Sequence, residues 1–188
     1  MGKLTYSMIT SLDGYVADNS GEFASWARPD EEVLAAVNAR TRVGTYLYGR
    51  RMYETMAVWD SHSFVTEVTA ESPSSAEFAR LWQAADKVVY STTLEQVSTQ
   101  RTDLRREFDP ARVADLKASA GADLTIDGPT LAAQALRHGL VDEISMLICP
   151  IVLGGGLAFL PGQRLNLRLT GEQRFGNGVV HLTYAVVR

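Results

Sequence analysis

Short apolar runs alternate with amphipathic segments along most of the chain. Apolar runs of four to eight residues between polar or glycine-containing segments are typical of buried β-strands. The runs that meet this description are Leu4–Ile9, Thr45–Tyr48, Lys87–Ser91, Leu124–Asp127 and Glu143–Val152.

Helices are predicted between these strands. Asp30 suits an N-cap, and Pro110 and Pro129 suit the first position of a helix. The predicted helices follow Asp30, follow Gly49, and cover Glu77–Ala85, Ala111–Ala120 and Pro129–Gly139. We expect Gly44 to end the first helix and Gly121 to end the fourth.

Two stretches fit no regular element. Trp59–Ser75 is polar and irregular, which indicates a long surface loop, and Thr99–Arg106 shows no clear period. At the C-terminal end, Leu165–Phe175 and Val179–Val187 flank Gly176-Asn177-Gly178, the composition and spacing of a hairpin turn.

The order strand–helix–strand recurs about four times before the closing hairpin. This order predicts an α/β, three-layer sandwich with a mixed, mostly parallel sheet and antiparallel C-terminal strands. The 188 residues contain no linker or internal repeat, so we expect one domain over residues 1–188.

Composition narrows the classes of function. The net charge of −4 with no basic run argues against a nucleic-acid partner. Cys149 is the single cysteine and lies in an apolar run, and the three histidines His62, His138 and His181 are scattered, so no metal site is expected. No apolar run has the length of a membrane span and no signal peptide is evident, which favours the cytoplasm.

The segment Asp123–Leu131 has the pattern of a strand that turns through Gly128 into a helix beginning at Pro129. A helix start presents free N–H groups and a partial positive charge, and this geometry holds phosphates. Taken alone, an ordinary strand-to-helix turn explains the same pattern equally well.

Two further segments share the design. Gly49 leads from a strand into a helix that begins with Arg50 and Arg51, where positive side chains oppose the helix dipole unless an anion is bound. Ser91, Thr92 and Thr93 cluster where another strand ends, either as phosphate donors or as an ordinary cap.

The three segments together are more specific than any one of them. Each lies at the carboxyl end of a predicted parallel strand, and ligands of open α/β sheets bind at that edge. The sequence contains neither GxGxxG nor GxxxxGK[ST], which argues against the standard dinucleotide and phosphate-loop folds.

With its motifs in order, the chain resembles the dihydrofolate reductase-like superfamily. The motifs are SLDGYVAD, YLYGRRMYETM, KVVYSTTLE, ADLTIDGPTLAAQALRHGLVDE and SMLICPIVLGGG. More narrowly, it is similar to the reductase domain of the bifunctional riboflavin-biosynthesis deaminase–reductase and its stand-alone bacterial relatives. The zinc signature of the deaminase domain is absent from this sequence.

The resemblance implies an NADPH-dependent reductase and a homodimer built partly through the C-terminal strands. The residues it assigns to the cofactor are Ile9 and Thr10 near the nicotinamide, Gly49, Arg50 and Arg51 at the phosphates, Ser91 and Thr92 at the adenosine 2′-phosphate, and Asp127, Gly128, Pro129, Thr130 and Leu131 at the pyrophosphate.

Two positions depart from the pattern. Many relatives have arginine where this chain has Thr92, which weakens the preference for NADPH over NADH. Dihydrofolate reductases have glycine where this chain has Asp127, and a carboxylate beside a pyrophosphate is repulsive unless it points away or contacts a sugar hydroxyl.

The catalytic proton donor has two candidates. Dihydrofolate reductases place one carboxylate at the start of the first helix, after a tryptophan and a proline, and Trp26–Glu31 has this shape with Glu31 at the matching spacing and Asp30 beside it. The alternatives are an N-cap for Asp30, a surface acid for Glu31, and water as the proton source.

The resemblance leaves the substrate open. In the riboflavin branch it is 5-amino-6-(5-phosphoribosylamino)uracil, whose phosphate needs a second cationic site from Arg28, Arg164 or Arg168. The alternatives are reduction of dihydrofolate and nucleotide binding without catalysis.

Overall fold

One mixed β-sheet is central to the computed structural model, which describes residues 1–23, 25–27, 29–40, 43–70 and 72–187. Its strands are β1 (Leu4–Thr10), β3 (Val43–Gly49), β4 (Asp86–Tyr90), β5 (Thr102–Arg105), β6 (Asp123–Asp127), β7 (Glu143–Ile148), β9 (Asn166–Arg174) and β10 (Val180–Val187). A separate antiparallel ribbon pairs β2 (Tyr15–Ala17) with β8 (Leu157–Ala158).

The strand order is β5-β4-β3-β6-β1-β7-β10-β9. The first six strands are parallel, and β10 pairs antiparallel with both of its neighbours. The predicted mixed sheet with antiparallel C-terminal strands is therefore confirmed. The apolar strand β7 has neighbours on both sides, which explains its lack of polar alternation.

Helices cover both faces of the sheet. Those of the described residues are α1 (Glu31–Arg40), α2 (Arg50–Met56), α3 (His62–Thr69), α4 (Pro73–Ala84), α5 (Pro110–Ser119) and α6 (Pro129–Arg137). Leu47 of β3 packs in the core that includes α5 and α6, whereas Tyr46 and Tyr48 pack with α2 and α4. Since alternate side chains of a strand point to opposite faces, the three predicted layers are confirmed.

The predicted boundary at Gly44 is wrong. Helix α1 ends at Arg40, and Gly44 lies inside β3. A β-carbon at Gly44 would come 2.9 Å from that of Ala122, so the glycine permits close approach of β3 to the segment before β6.

The loop predicted over Trp59–Ser75 is also wrong. The segment contains the end of a short 3₁₀ turn (Ala57–Asp60), helix α3 and the start of α4. Trp59 contacts the rings of Phe64 and Phe78, with centroids 5.3 and 4.8 Å away, so apolar packing orders this polar stretch. Ser72 caps α4 by accepting the N–H of Ser75, and Pro73 occupies its first turn.

Strand β5 lies in the segment that the sequence left unassigned, at the edge of the sheet beside β4. Strand β7 ends at Ile148, earlier than predicted, and Pro150, which has no N–H to donate, follows two residues later. Within the described residues, no helix has the length and apolar character needed to cross a membrane.

Candidate active site along the carboxyl edge of the sheet

The carboxyl ends of four adjacent parallel strands form one row. We call the row the carboxyl edge; it runs from Ser91 after β4, through Gly49 of β3 and Gly128 after β6, to Thr10 of β1. Register pairs Gly49 with Tyr90 and Tyr48 with Asp127, so these ends are level. The structure thus brings the three predicted segments together.

The turn at Gly128 lies where the starts of two helices meet. Gly128 has φ +97°, a conformation that side-chain-bearing residues rarely adopt, and its N–H donates to the sulfur of Met8 at 3.2 Å. A β-carbon at Gly128 would lie 3.6 Å from that of Met52, so the starts of α2 and α6 approach each other here.

Helix α6 begins with Pro129 and has no side-chain cap. The N–H groups of Thr130 and Leu131 stand in its first turn, where a helix offers them no internal carbonyl partner. They are therefore the donors available to an anion at the carboxyl edge.

Asp127 is buried just before this turn. Its side chain projects, like that of Tyr48, to the face that carries α2 and α4, while α6 packs on the opposite face. Thr125 Oγ1 donates to Asp127 Oδ1 at 2.9 Å. Burial raises the pKa of Asp127 to about 7, against the lowering effect of Thr125, so below that pH the side chain is mostly neutral and the repulsion expected of a carboxylate here is relieved.

Arg50 bridges α2 and the loop after β4. Its Nε donates to Glu54 at 2.7 Å, and its Nη1 donates to Oγ1 of Thr93 at 2.9 Å. Arg51 is exposed, and no ion pair joins it to another residue within the described ranges. Both arginines stand at the carboxyl edge, as predicted from their position after Gly49.

Ser91 organises the loop after β4. Its buried Oγ accepts the N–H groups of Thr93 and Leu94, and its carbonyl accepts Nη1 of Arg106 at 3.3 Å. Arg106 also donates to the carbonyl of Leu94 at 2.5 Å. Thr92 and Thr93 are both exposed, and of the two it is Thr93 whose hydroxyl accepts from the arginine of α2.

At the other end of the row, Thr10 is fully buried and its hydroxyl oxygen has no hydrogen-bond partner among the described residues. A buried hydroxyl without a partner is costly and calls for an explanation such as a ligand group. Ile9 points to the α1 side, where it packs in one cluster with Trp26 and Ile151.

Sequence reasoning missed the role of Asp13. Its carboxylate accepts Oγ of Ser11 at 2.7 Å and the N–H groups of Leu153 and Gly154 at 3.1 and 2.8 Å. These hydrogen bonds, that of Ser11 foremost, lower the pKa of Asp13. The contact ties the turn after β1 to the loop after β7. Both segments carry recognisable motifs, SLDG and VLGGG, but nothing in their spacing shows that they touch.

The two predicted proton donors are engaged elsewhere. Asp30 accepts the N–H of Val33 at 3.0 Å, as an N-cap does. Glu31 accepts Oγ of Ser72 at 2.5 Å and the N–H of Ser74 at 2.9 Å, which lowers its pKa. Glu31 thus ties α1 to the start of α4, and the catalytic role of either acid stays a prediction.

A separate cavity of about 540 Å³ lies between α5 and the β4–β5 edge. Tyr90, Arg105 and Arg106 form its end nearest the carboxyl edge, and Arg112, Asp115 and Ser119 line it along α5.

Residues 2–181 match the family model described as RibD C-terminal domain. The chain belongs to the RibD C-terminal domain family. The uncharacterized protein YyaP of Bacillus subtilis (strain 168) is 26% identical over 185 residues, which cover 97% of this chain and 94% of YyaP.

Solved structures show the same fold at low identity. A candidate riboflavin biosynthesis protein from Shewanella sp. PV-4 is 23% identical, with a TM-score of 0.71 and full coverage of both chains. The deaminase/5-amino-6-(5-phosphoribosylamino)uracil reductase of Thermotoga maritima is 12% identical, with a TM-score of 0.64; the match covers 99% of this chain and 57% of that one.

The RibD C-terminal domain family and its neighbours have the dihydrofolate reductase-like fold, so the fold that the sequence motifs indicated is confirmed. The family is one of reductases and typically uses a nicotinamide cofactor. The residues of the carboxyl edge are this chain's candidates to hold such a cofactor.

Proposed function

We propose that this protein is an NADPH-dependent reductase acting on a phosphoribosylaminopyrimidine or a closely related heterocycle or sugar derivative. The observation that carries the proposal is the junction at Gly128, where α2 and α6 begin side by side at the end of the central strands. Their first-turn N–H groups, with Arg50 and Arg51, form a cationic surface suited to a dinucleotide.

Successive positions along the carboxyl edge are assigned to successive parts of the cofactor. The pyrophosphate is assigned to the N–H groups of Thr130 and Leu131, with Gly128 allowing close approach. The adenosine phosphate is assigned to the Arg50 side of the row, near Ser91. The nicotinamide is assigned to Ile9 and Thr10 at the end of β1, where the buried hydroxyl of Thr10 has no partner among the described residues.

The bound cofactor supplies a hydride. The protein positions the acceptor beside β1 and excludes water with apolar side chains, of which Ile9, Trp26 and Ile151 are in one cluster. We propose that water delivers the proton, because Asp30 and Glu31 both hold backbone N–H groups at helix starts.

A phosphorylated substrate needs a further cation. Strand register places Arg168 opposite Ala185, which pairs with Glu143 at the amino end of β7, far from the carboxyl edge. Arg164 precedes β9 at that same end, and Arg28 lies outside the described residues. We propose Arg174 of β9 for this task. Arg174 lies opposite Val180, and Val180 and Thr10 both pair with Ile148, so Arg174 is level with the end of β1.

We also propose a homodimer through the sheet face formed by β7, β10 and β9 away from α1. Arg40 of α1 reaches His181 and Gln173, so α1 covers one face. The opposite face has partly exposed apolar side chains on all three strands, with the charged Glu172 and Arg174 on the edge strand β9; the apolar residues are Met146, Ile148, Val180, Leu182, Tyr184 and Leu169. A face of this kind is typically buried by a partner. We place the enzyme in the cytoplasm, where reduced nicotinamide cofactors are formed.

Steady-state turnover tests the activity. Oxidation of NADPH should depend on 5-amino-6-(5-phosphoribosylamino)uracil and yield the ribitylamino product. Turnover with dihydrofolate alone would instead make dihydrofolate reduction the activity, and cofactor binding without turnover of either compound would leave a nucleotide-binding protein.

A further inference from the structure

The guanidinium of Arg50 stands between an acid and a hydroxyl. Its Nε donates to the carboxylate of Glu54 at 2.7 Å, and its Nη1 donates to the hydroxyl of Thr93 at 2.9 Å. Both side chains of the ion pair are about half exposed, at 48% and 46%. The third nitrogen, Nη2, has no partner among the described residues, so one N–H edge of the guanidinium stays open to solvent.

We propose that Glu54 and Thr93 set the discrimination between NADPH and NADH through Arg50. This inference rests on the proposed function, because it assumes that the adenosine end of the cofactor lies against Arg50. In this arrangement Thr93 aims the guanidinium and Glu54 sets the local charge, and neither residue needs to touch the cofactor.

The negative charge of Glu54 decides the direction of its effect on NADPH affinity. The adenosine 2′-phosphate of NADPH brings up to two negative charges to a site where Glu54 already neutralises Arg50. Two negative groups beside the same guanidinium repel each other even through solvent, so the carboxylate of Glu54 opposes binding of the 2′-phosphate at Arg50. NADH lacks that phosphate, and its affinity is set elsewhere along the carboxyl edge.

The hydroxyl of Thr93 decides the direction of its effect on NADPH affinity. The loop that carries Thr93 is itself fixed, since Ser91 accepts its N–H and Arg106 holds the carbonyls of Ser91 and Leu94. Thr93 therefore presents its hydroxyl from a defined position, and the guanidinium is oriented before a phosphate arrives. Loss of this orientation costs NADPH affinity without changing charge.

The test compares Kd for NADPH and for NADH in the wild type and four variants. Glu54→Gln keeps an oxygen that can accept Nε of Arg50 and removes only the charge. It should tighten NADPH about threefold to tenfold and leave NADH within twofold. Thr93→Val should weaken NADPH about threefold to tenfold with NADH unchanged, and Thr93→Ser, which keeps the hydroxyl, should restore wild-type affinity.

The matched control is Asp86→Asn. Asp86 forms an exposed ion pair with Arg101 at 2.7 Å, but at the amino end of β4, opposite the carboxyl edge. This variant should leave the ratio of the Kd values for NADPH and NADH unchanged, because it removes only a surface ion pair away from the proposed site.

The outcomes separate the two levels of the proposal. Wild-type protein that binds neither cofactor at millimolar concentration overturns both the proposed function and this inference. Binding of a cofactor with a ratio that Glu54→Gln and Thr93→Val do not shift, or that Asp86→Asn shifts equally, overturns the inference alone.

Discussion

The hydroxyl of Thr125 donates a hydrogen bond to the carboxylate of Asp127 at 2.9 Å, at the centre of the carboxyl edge. No ion pair joins Asp127 to a cation within the described ranges, and the titratable groups that interact with it are Tyr6, Tyr46 and Tyr48. A buried acid with one neutral hydrogen-bond donor and no cation holds its proton to higher pH than an exposed acid.

Cofactor affinity should therefore depend on pH through Asp127. Its pKa of about 7 means that the group is neutral below and charged above that pH. The charged form would repel a pyrophosphate held at the proposed site, so NADH affinity should fall severalfold between pH 6 and pH 8. NADH is the suitable probe because it lacks the 2′-phosphate, which titrates in the same range. In Asp127→Asn this dependence should disappear; persistence of the full pH slope in that variant would show that another group causes it.

Stability should respond to the same group. In the unfolded chain Asp127 has its ordinary pKa of 3.8, below the folded value of about 7. Between these values the folded state binds more protons than the unfolded state, so stability contributed by Asp127 is lost as pH rises through the window. Asp127→Asn should raise the free energy of unfolding at pH 8 by on the order of 2–4 kcal/mol, and by less at pH 5. Urea denaturation at both pH values measures the difference, and equal effects at both would refute the assignment.

Gly128→Ala should weaken NADPH binding by more than its loss of folding stability accounts for. The position requires φ +97°, so alanine costs about 1–3 kcal/mol or moves the turn. A moved turn displaces the N–H groups of Thr130 and Leu131. Gly139→Ala is the matched control, since it has φ +63° with open space around it and follows the end of the same helix. Denaturation and NADPH titration of both variants test this; similar affinity loss in the control would count against a binding role for the turn.

Glu31→Ala should lower the melting temperature and leave kcat nearly unchanged. The carboxylate holds Ser72 and Ser74 at the start of α4, and its lowered pKa makes it a poor proton donor at neutral pH. Thermal melts and kcat should be measured together. A loss of kcat of a hundredfold or more with little change in melting temperature would instead support the catalytic role predicted from the position of Glu31 after Trp26 and Pro29.

The proposed dimer depends on Leu169, which is 47% exposed on the edge strand β9. Leu169→Lys should convert a dimer into a monomer of 20.6 kDa without loss of secondary structure, because the side chain is not part of the core. Val58→Lys, at another exposed apolar residue, is the control. Light scattering after size exclusion gives both masses; a monomeric wild type would end the dimer proposal.

The sequence predicted the central strands well because their patterns are local. β1, β6 and the helix starts at Asp30, Pro110 and Pro129 carry apolar runs, caps and prolines that act within a few residues. Helix α3 was missed because its order comes from Trp59, which brings together Phe64 and Phe78 of two helices. Such contacts between elements have no local pattern.

The same limit applies to the site. Gly128, Arg50 and Ser91 could be singled out from the sequence because each follows a strand directly. The partners that define their geometry come from elsewhere: Met8 for Gly128, Thr93 for Arg50 and Arg106 for the Ser91 loop. The order of strands in the sheet decides these pairings. Strand β6 lies between β3 and β1, although β4 and β5 come before it in the chain and lie on the other side of β3.

The structure of the protein with NADPH bound would show whether the cofactor lies along the carboxyl edge. We predict the pyrophosphate within hydrogen-bond distance of the N–H groups of Thr130 and Leu131, with the nicotinamide beside Ile9 and Thr10. A cofactor bound instead in the cavity between α5 and β5, or with its pyrophosphate away from Gly128, would rule out the carboxyl edge as the cofactor site.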